Sequence, residues 1–339
     1  MAGEKQTNCA VSVDMDLPPE DILFGSSPAL RVLKHTAMKV AGTSVPILIQ
    51  GDGGTGKEVL ARWIHKHSAC ADGEFVKVSC AAIPSQLLES ELFGYEKGAF
   101  TGANHSKSGR VELAHKGTLF LDDICELELR LQGKLLHFLQ DGAICRIGDN
   151  TDRKVDARVI CASSKDLQQR ITAGEFRSDL FYRINVVQLR LPRLRERRED
   201  IPFLAEYLRI HHEEQLKLQR APFRSEILEY FKTLNWQGNL RELSNEVARY
   251  VIIGPESLMG PDSSPVRQSV LALPGAGASL PLKRITKEAV RKMQRNVILQ
   301  ALRENQWNRR KTAEALRISY RSLIYKIREA GLADRSAIL

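Results

Sequence analysis

The stretch Val45-Pro-Ile-Leu-Ile-Gln-Gly51-Asp-Gly-Gly-Thr-Gly-Lys57 decides the fold of this 339-residue chain. An apolar run of strand length leads into a glycine-rich loop, and Glu58–His67 continues with helical periodicity. In this setting G-x-x-x-x-G-K binds phosphate, because backbone N–H groups and a helix N-terminus surround the anion and Lys57 reaches the β- and γ-phosphates. We therefore predict a nucleotide-binding loop formed by Gly51, Asp52, Gly53, Gly54, Thr55, Gly56, Lys57 and Glu58. Glu58 replaces the usual Ser or Thr, so the hydroxyl ligand to Mg²⁺ is missing.

Apolar strand-like runs alternate with helix-period stretches on both sides of this loop. The predicted strands are Val45–Gln50, Phe75–Ser79, Thr118–Asp122, Ala157–Ala162 and Val186–Leu191. This alternation is typical of an α/β fold with a parallel sheet and covering helices. Beyond Leu191 the pattern predicts only helices, which favours a small helical subdomain behind the sheet: Ile201–Glu214, Ser225–Leu234 and Asn239–Ile253.

Two acids end the third predicted strand, in Gly117-Thr-Leu-Phe-Leu-Asp122-Asp123. An acid at a strand tip beside a phosphate loop holds Mg²⁺, directly or through water, and we assign this role to Asp122. Asp123 is then placed to polarise the attacking water. The plainer alternative is a solvated strand end, which the neighbouring phosphate loop disfavours.

The positive charge of the chain is confined to its C-terminal part. The formal net charge is +9, from 50 Lys and Arg against 41 Asp and Glu. Residues 283–339 hold 15 basic and 5 acidic residues, so all the excess lies there. A basic segment on a neutral body indicates a nucleic-acid-binding module, although a solvated basic tail has the same composition.

Composition also argues against several classes of protein. No apolar run reaches the roughly 18 residues that span a bilayer, and Met1–Asp21 lacks a signal pattern. We therefore expect a cytoplasmic protein without a membrane partner. The six cysteines contain no C-x-x-C pair, which disfavours a zinc site or a disulfide framework.

The segment Glu91-Leu-Phe-Gly-Tyr-Glu-Lys-Gly-Ala-Phe-Thr-Gly-Ala103 contains the motif GAFTGA. Together with the loop GDGGTGKE, it resembles the sigma-54-dependent transcriptional activators, which are bacterial enhancer-binding proteins of the AAA+ class. The resemblance extends from about Ile22 to Tyr250 and resumes in the last 50 residues. It implies an AAA+ P-loop parallel sheet with a helical lid subdomain, followed by an all-α helix-turn-helix domain.

The resemblance and the composition together divide the chain into six parts. These are a flexible lead (1–21), an α/β subdomain (22–191), a helical lid (192–255), a linker rich in Pro and Gly (256–283), a Fis-type DNA-binding module (284–333) and a tail (334–339). The lead is too short for a receiver or ligand-sensing domain. We expect regulatory input from a partner, from expression level or from ATP itself.

In this family GAFTGA tips a mobile loop that contacts sigma-54 when ATP is bound. The resemblance therefore implies a sigma-54 contact formed by Gly98, Ala99, Phe100, Thr101, Gly102 and Ala103. Two glycines allow an unusual backbone path, and Phe100 and Thr101 offer an apolar and a hydroxyl contact. A buried Phe in an ordinary turn is the alternative, which the polar flanking residues disfavour.

The resemblance also implies an ATP site shared between subunits. The segment Phe176-Arg-Ser-Asp-Leu-Phe-Tyr-Arg183 is similar to the family's arginine-finger segment, in which Arg177 and Arg183 would enter the neighbouring subunit's site. Activity would then require a homo-oligomer, between a dimer and a hexameric ring. Trp236-Gln-Gly-Asn-Leu-Arg241 resembles the lid signature, in which Arg241 contacts the nucleotide of its own subunit. The alternative for the two finger residues is that they are surface helix charges.

The C-terminal segment resembles the Fis-type helix-turn-helix. Its first helix would be Asn308–Leu316, Arg317-Ile-Ser319 would form the turn, and Tyr320–Ala330 would be the recognition helix with Leu323 facing the core. The residues left to contact bases and phosphates of double-stranded DNA at an upstream activating sequence are Arg309, Arg310, Tyr320, Arg321, Ser322, Tyr325 and Lys326.

Three functions remain open at this level. The first is a transcription activator that hydrolyses ATP with Mg²⁺ to remodel sigma-54 RNA polymerase holoenzyme. The second is a nucleotide-sensing DNA-binding regulator or partner subunit with little hydrolysis. It is motivated by Ser79, Asp123 and Ser164, which stand where the family usually has Asn, Glu and Asn. The third, another AAA+ DNA motor such as a helicase loader, is disfavoured by GAFTGA.

Overall fold

A computed structural model describes residues 17–255, 308–315, 320 and 322–324. The chain forms two compact units, Met1–Met259 and Gly260–Leu339. The helices of the first unit are α1 (Glu20–Phe24), α2 (Pro28–Ala41), α3 (Lys57–Lys66), α4 (Ser85–Phe93), α5 (Arg110–Leu113), α6 (Leu129–Asp141), α7 (Leu167–Thr172), α8 (Ser178–Ile184), α9 (Ile201–Leu216), α10 (Ser225–Thr233) and α11 (Asn239–Ile253). In the second unit, α12 spans Arg309–Ala315.

The described strands belong to one large sheet and two small ones. They are β1 (Ile47–Gln50), β2 (Phe75–Ser79), β3 (Gly94–Tyr95), β4 (Lys107–Ser108), β5 (Thr118–Asp122), β6 (Ala143–Ile144), β7 (Arg153–Lys154), β8 (Arg158–Ser163) and β9 (Val187–Arg190). The large sheet has the order β2-β5-β8-β1-β9, and all its neighbours run parallel. This confirms the predicted α/β fold.

Parallel strands need crossover connections, and the helices that form them cover both faces of this sheet. All six residues of β8 are buried, which is typical of strands that are covered on both faces. One apolar core lies against one face of the sheet and includes Leu121 and Leu135. The other includes Ile49, Leu60 and Phe120. Since the strands are parallel, all their carboxyl ends meet at one edge, where an α/β fold places its ligand.

The five predicted strands are all present. Phe75–Ser79 and Thr118–Asp122 have the predicted bounds, and the bounds of the other three differ by one or two residues. The first begins at Ile47 instead of Val45, because Pro46 has no N–H to donate to a neighbouring strand. The fourth is shifted by one residue, to Arg158–Ser163. Sequence periodicity did not identify the β3–β4 and β6–β7 pairs, since strands of two residues carry no readable alternation.

Helices α9, α10 and α11 form the predicted helical subdomain around their own apolar core. Trp236 is buried in this core, and its indole Nε1 donates a hydrogen bond to the Phe231 carbonyl at 2.8 Å. The Phe231 and Trp236 rings meet edge to face with centroids 5.5 Å apart. The lid therefore has an apolar core of its own within the first unit.

In the second unit, α12 begins one residue later than predicted, because Asn308 is its N-cap. The Asn308 Oδ1 accepts the N–H groups of Arg310 and Lys311 at 3.2 and 3.3 Å. Leu323 is fully buried, as predicted. Several predicted features lie outside the described residues: most of the lead, the 256–283 linker, Leu316, the 317–319 turn, and the DNA contacts Arg321, Tyr325 and Lys326.

Across the described ranges, 17–255 and the short C-terminal pieces, no helix is long and apolar enough to cross a membrane.

Candidate nucleotide-binding site

The glycine loop of residues 51–56 joins β1 to α3 at the carboxyl edge of the sheet. Gly54 and Gly56 have φ values of 76° and 101°, in the left-handed region that favours glycine. Lys57 is buried, and its ammonium group donates to the carbonyls of Gly51 and Asp52 at 2.8 and 3.2 Å. The lysine therefore closes the loop on itself, and must exchange these carbonyls for phosphate oxygens when a nucleotide enters.

The lid holds this loop through its backbone carbonyls. The Asn239 Nδ2 donates to the Gly53 carbonyl at 3.0 Å, and the Leu240 N–H donates to the Gly54 carbonyl at 3.0 Å. A Cβ on Gly54 would lie 2.3 Å from the Gly238 carbonyl oxygen, so only glycine permits this contact. The same Asn239 side chain accepts the Leu194 N–H at 2.9 Å. One buried amide thus joins the loop, the lid helix and the connection that leads into the lid.

Sequence reasoning singled out Arg241 in this segment but missed Asn239. Arg241 is exposed, and its Cβ lies 3.1 Å from the position of a Cβ on Gly54. Arg241, which was predicted to contact the nucleotide, therefore lies next to the phosphate loop of the same chain. Asn239 has φ = 53°, which asparagine tolerates better than most residues. The sequence feature that could have identified Asn239 is an asparagine directly after Gly238, at the start of a predicted helix.

The two acids lie where β5 ends. Asp122 pairs in register with Ser79 of the neighbouring strand. Burial and the adjacent Asp123 carboxylate raise the pKa of Asp122. One carboxylate at this position fits Mg²⁺, which takes one or two carboxylates together with phosphate oxygens and waters. Among the described residues, no cluster of three or more His, Cys, Asp or Glu side chains could hold a metal without such added ligands.

Asp123 has an unusual backbone conformation, with φ = 52° and ψ = 54°. Its carboxylate accepts the Ser164 N–H, at the end of β8, over 3.2 Å. In the described part of the chain, no side-chain hydrogen bond joins Asp123 to Ser79. The shortened acid is thus held by the backbone of the adjacent strand end.

The Glu58 carboxylate is engaged by two cations and does not take the place of the missing hydroxyl ligand to Mg²⁺. Its carboxylate pairs with Lys77 at 2.6 Å and with Arg62 at 2.9 Å. Burial raises the pKa of Glu58, but the hydrogen bonds from Lys77 and Arg62 outweigh it, so that the pKa lies below its ordinary value. Glu58 thereby ties α3 to β2. Asp52 is likewise engaged, since its carboxylate pairs with Arg193 at 2.7 Å.

The two predicted finger arginines are both exposed, at opposite ends of α8. Arg177 precedes α8 and pairs with Asp179 at 2.7 Å. Arg183 donates to the Leu139 carbonyl at 2.7 Å and lines a cavity with Val45 and Ala157, which precede β1 and β8. Arg183 is therefore at the amino edge of the sheet, opposite the phosphate loop. It is therefore remote from the phosphate loop of the same chain.

The GAFTGA segment forms a turn outside the sheet that is exposed at its tip, while Ala99 is half-buried and Ala103 is buried, so Ala103 is not available as a surface contact. The Gly98 N–H donates to the Ala103 carbonyl at 2.9 Å, and Gly98 and Gly102 have φ values of 85° and 105°. Phe100 is 46% exposed and packs edge to face on Tyr95, with ring centroids 5.0 Å apart. Thr101 is exposed. The turn thus presents an aromatic ring and a hydroxyl to solvent, which excludes the buried-Phe alternative.

The base of this turn is anchored by Arg146, which sequence reasoning missed. Its guanidinium donates to Glu112 and Glu96 at 2.7 and 2.8 Å and to the Ser108 hydroxyl at 2.8 Å. The carboxylates of Glu112 and Glu96 raise the pKa of Arg146, against the effect of its partial burial. Arg146 follows the strand β6, so it connects the second hairpin to the base of the first. No spacing in the sequence predicts these contacts of Arg146, because its partners come from separate loops.

We expect Asn239→Ala to weaken both nucleotide binding and the fold. The change removes two hydrogen bonds, each worth about 1 kcal/mol, and places Ala in a left-handed conformation that costs roughly 1–2 kcal/mol. Urea unfolding should show a lower free energy, and titration with a fluorescent ATP analogue a larger Kd. Asn150→Ala, in an exposed loop, is the control. An unchanged Kd for Asn239→Ala would contradict the role of the lid in shaping the loop.

Known proteins resemble the chain over nearly its whole length. The sigma-54 interaction domain matches residues 23–190, the AAA+ ATPase lid domain matches 195–267, and the domain described as bacterial regulatory protein, Fis family, matches 289–329. The response regulator protein PilR of Pseudomonas aeruginosa is 38% identical over 317 residues, which cover 94% of this chain and 71% of PilR. The regulatory protein AtoC of Escherichia coli is 42% identical over 314 residues, or 92% of this chain and 68% of AtoC.

A solved structure has a similar fold. The crystal structure of NtrX from Brucella abortus in complex with ATP aligns with a TM-score of 0.65 and 32% identity, over 91% of this chain and 68% of NtrX. The order of the matched domains, the relatives and the described geometry all indicate the same family. The chain belongs to the family of sigma-54-dependent transcriptional activators, with an AAA+ domain and a Fis-type DNA-binding helix-turn-helix.

Proposed function

We propose that the chain binds DNA upstream of a promoter, assembles into a ring in the cytoplasm and uses ATP hydrolysis to remodel sigma-54 RNA polymerase holoenzyme. The observation that carries this proposal is the meeting of the phosphate loop, two acids and the lid at one edge of the sheet. An exposed GAFTGA turn on the same unit supports the coupling of this site to a protein partner.

The phosphate loop and Lys57 bind ATP in this proposal, and Arg241 contacts the nucleotide from the lid. Asp122 holds Mg²⁺, which when bound neutralises charge on the phosphates. Asp123 accepts a proton from the attacking water, and the N–H of Ser164 keeps the carboxylate in position. Burial first, and then the adjacent Asp123 carboxylate, raise the pKa of Asp122, and a bound cation would favour its charged form.

The position of Arg183 supports an active site formed by two subunits. A cation at the amino edge of the sheet is exposed to a neighbour and remote from its own phosphate loop. Arg177 is exposed as well, and its guanidinium pairs with Asp179 at the surface, where solvent screens the pair and a stronger partner can displace it. Both arginines then stabilise charge on the phosphates bound by the adjacent subunit, which requires a ring.

The second unit binds double-stranded DNA. Arg309 and Arg310 lie exposed on the first turn of α12, as suits phosphate contacts. Tyr320 is 50% exposed and Ser322 is partly exposed, at the start of the predicted recognition helix. Arg321, Tyr325 and Lys326 complete the proposed set of DNA contacts.

One observation favours the alternative of a nucleotide-sensing regulator with weak hydrolysis. Asp123 is one methylene shorter than the family's usual Glu, and its carboxylate is already engaged by Ser164. ATP turnover distinguishes the two functions. A rate per subunit that rises cooperatively with protein concentration supports the motor, and bound but unhydrolysed ATP at every concentration supports the alternative.

Mixing two inactive variants tests the shared site. We expect Lys57→Ala and Arg183→Ala each to lower ATP turnover by about 10³-fold or more, the usual contribution of an arginine finger. A mixture should regain part of the activity, because the Arg183→Ala subunit keeps an intact loop and its Lys57→Ala neighbour supplies an arginine. Pairing Arg177→Ala with Lys57→Ala tests the other arginine in the same way. The absence of recovery in both mixtures would exclude sharing between subunits.

Thr101→Ala should separate hydrolysis from remodelling. Thr101 lies on the exposed turn and touches none of the nucleotide residues, so ATP turnover should stay within about twofold while open promoter complexes fall by tenfold or more, which is about 1.4 kcal/mol of lost contact energy. Thr233→Ala, at an exposed position in the lid, is the matched control. Wild-type levels of open complex with Thr101→Ala would refute the sigma-54 contact.

Arg310→Ala should weaken DNA binding at all sequences alike. A lost phosphate contact lowers the slope of log K against log salt by about one unit, because one fewer counterion is released. Lys66→Ala, an exposed cation on the first unit, should leave the slope unchanged. Loss of sequence discrimination with an unaltered slope would instead assign Arg310 to a base.

A further inference from the structure

The phosphate loop carries an acid of its own, Asp52, between the glycines whose backbone would bind phosphate. Its carboxylate pairs with the Arg193 guanidinium at 2.7 Å. Arg193 comes from a distant part of the chain, the connection between β9 and the lid helices. A carboxylate repels the phosphates of ATP, and a paired cation cancels most of that repulsion. The pair therefore sets part of the charge that a nucleotide meets at the loop.

The Asp52–Arg193 pair lies at the nucleotide edge of the sheet. Both residues line a cavity of about 330 Å³, together with Gly51 of the loop and Ser164, which follows β8. The Ser164 N–H is the group that holds the Asp123 carboxylate, at 3.2 Å. The pair is therefore on the side of the loop where the strand-end acid also lies.

The connection that carries Arg193 is attached to the lid and to the loop. The Leu194 N–H donates to the Asn239 side chain at 2.9 Å, and Asn239 belongs to the lid helix α11. Arg197 is buried, and its Nη2 donates to the Thr55 carbonyl at 3.5 Å. Since Arg193 directly precedes Leu194, its position in front of the loop follows the position of the lid.

The stability of the fold does not account for this ion pair. The side chains of Arg193 and Asp52 are 44% and 40% exposed, and ion pairs in such contact with solvent contribute little to folding. The neighbouring acid Glu58 has two cations of its own, Lys77 and Arg62. Among the described residues, Arg193 is the cation that forms an ion pair with Asp52. The consequence of the pair is thus expected in ligand binding.

We propose that Arg193 is a positioning residue for nucleotide binding, which acts through Asp52 by neutralising a carboxylate that would otherwise repel the phosphates. This role rests on the ATP binding proposed for the loop. Because Arg193 follows the lid, a displaced lid would uncover the Asp52 charge and weaken the binding of the nucleotide. The affinity for ATP thereby depends on where the lid lies.

Single and double variants of the full-length protein test the effect of charge. Titration with a fluorescent ATP analogue should give a Kd about fivefold larger for Arg193→Ala, because the Asp52 carboxylate is then unpaired. Asp52→Asn should lower the Kd, because the remaining arginine then attracts the phosphates. The double variant should return to within about twofold of the wild-type Kd. The difference between Arg193→Ala and the wild type should shrink at high salt, which screens exposed charges.

Two further variants serve as controls. Arg195→Ala removes an exposed arginine from the same turn and should bind the analogue as the wild type does. Arg193→Lys keeps the charge and should retain most of the affinity. A larger Kd for both Asp52→Asn and Arg193→Ala would mean that the pair shapes the loop, and an unchanged Kd in both would mean that it has no role. Either result overturns the proposal, whereas ATP that is bound but never hydrolysed would contradict only the motor.

Discussion

The first residues of the lid helix hold the phosphate loop, and the nucleotide site depends on this contact. Asn239 and Leu240 donate to the carbonyls of Gly53 and Gly54. Because the C=O and N–H of a trans peptide point in opposite directions, these bonds turn the loop's N–H groups away from the lid. The loop and the lid are therefore one structure. A nucleotide that moves the loop must also move α11, and through Leu194 the chain that enters the lid.

The parallel sheet separates the functional groups into two edges. The phosphate loop, Asp122 and Ser164 lie where strands end, while Arg183 lies beside the residues that precede β1 and β8. A single subunit thus carries a nucleotide site on one edge and the proposed catalytic arginine on the other. This separation is a property of parallel β/α/β connections, which return every strand in the same direction.

The GAFTGA turn is attached to the large sheet without being part of it. Its base is a two-stranded ribbon fastened by Arg146, and its tip exposes Phe100 to solvent. Asp123 and Ser164 meet separately from this turn, at the carboxyl edge of the sheet. A rigid base and an exposed tip allow the turn to present one ring and one hydroxyl in a defined direction.

The sequence by itself determined the strands, the phosphate loop, the lid helices and the family, because these follow from local periodicity and from residue types at short spacing. Only the tertiary structure decided which side chains complete the site. Asn239 reaches Gly53 across 186 positions, Arg146 reaches Glu96 across 50, and Asp123 reaches the Ser164 backbone across 41. Such contacts leave no periodic trace in one sequence, since folding alone brings their partners together.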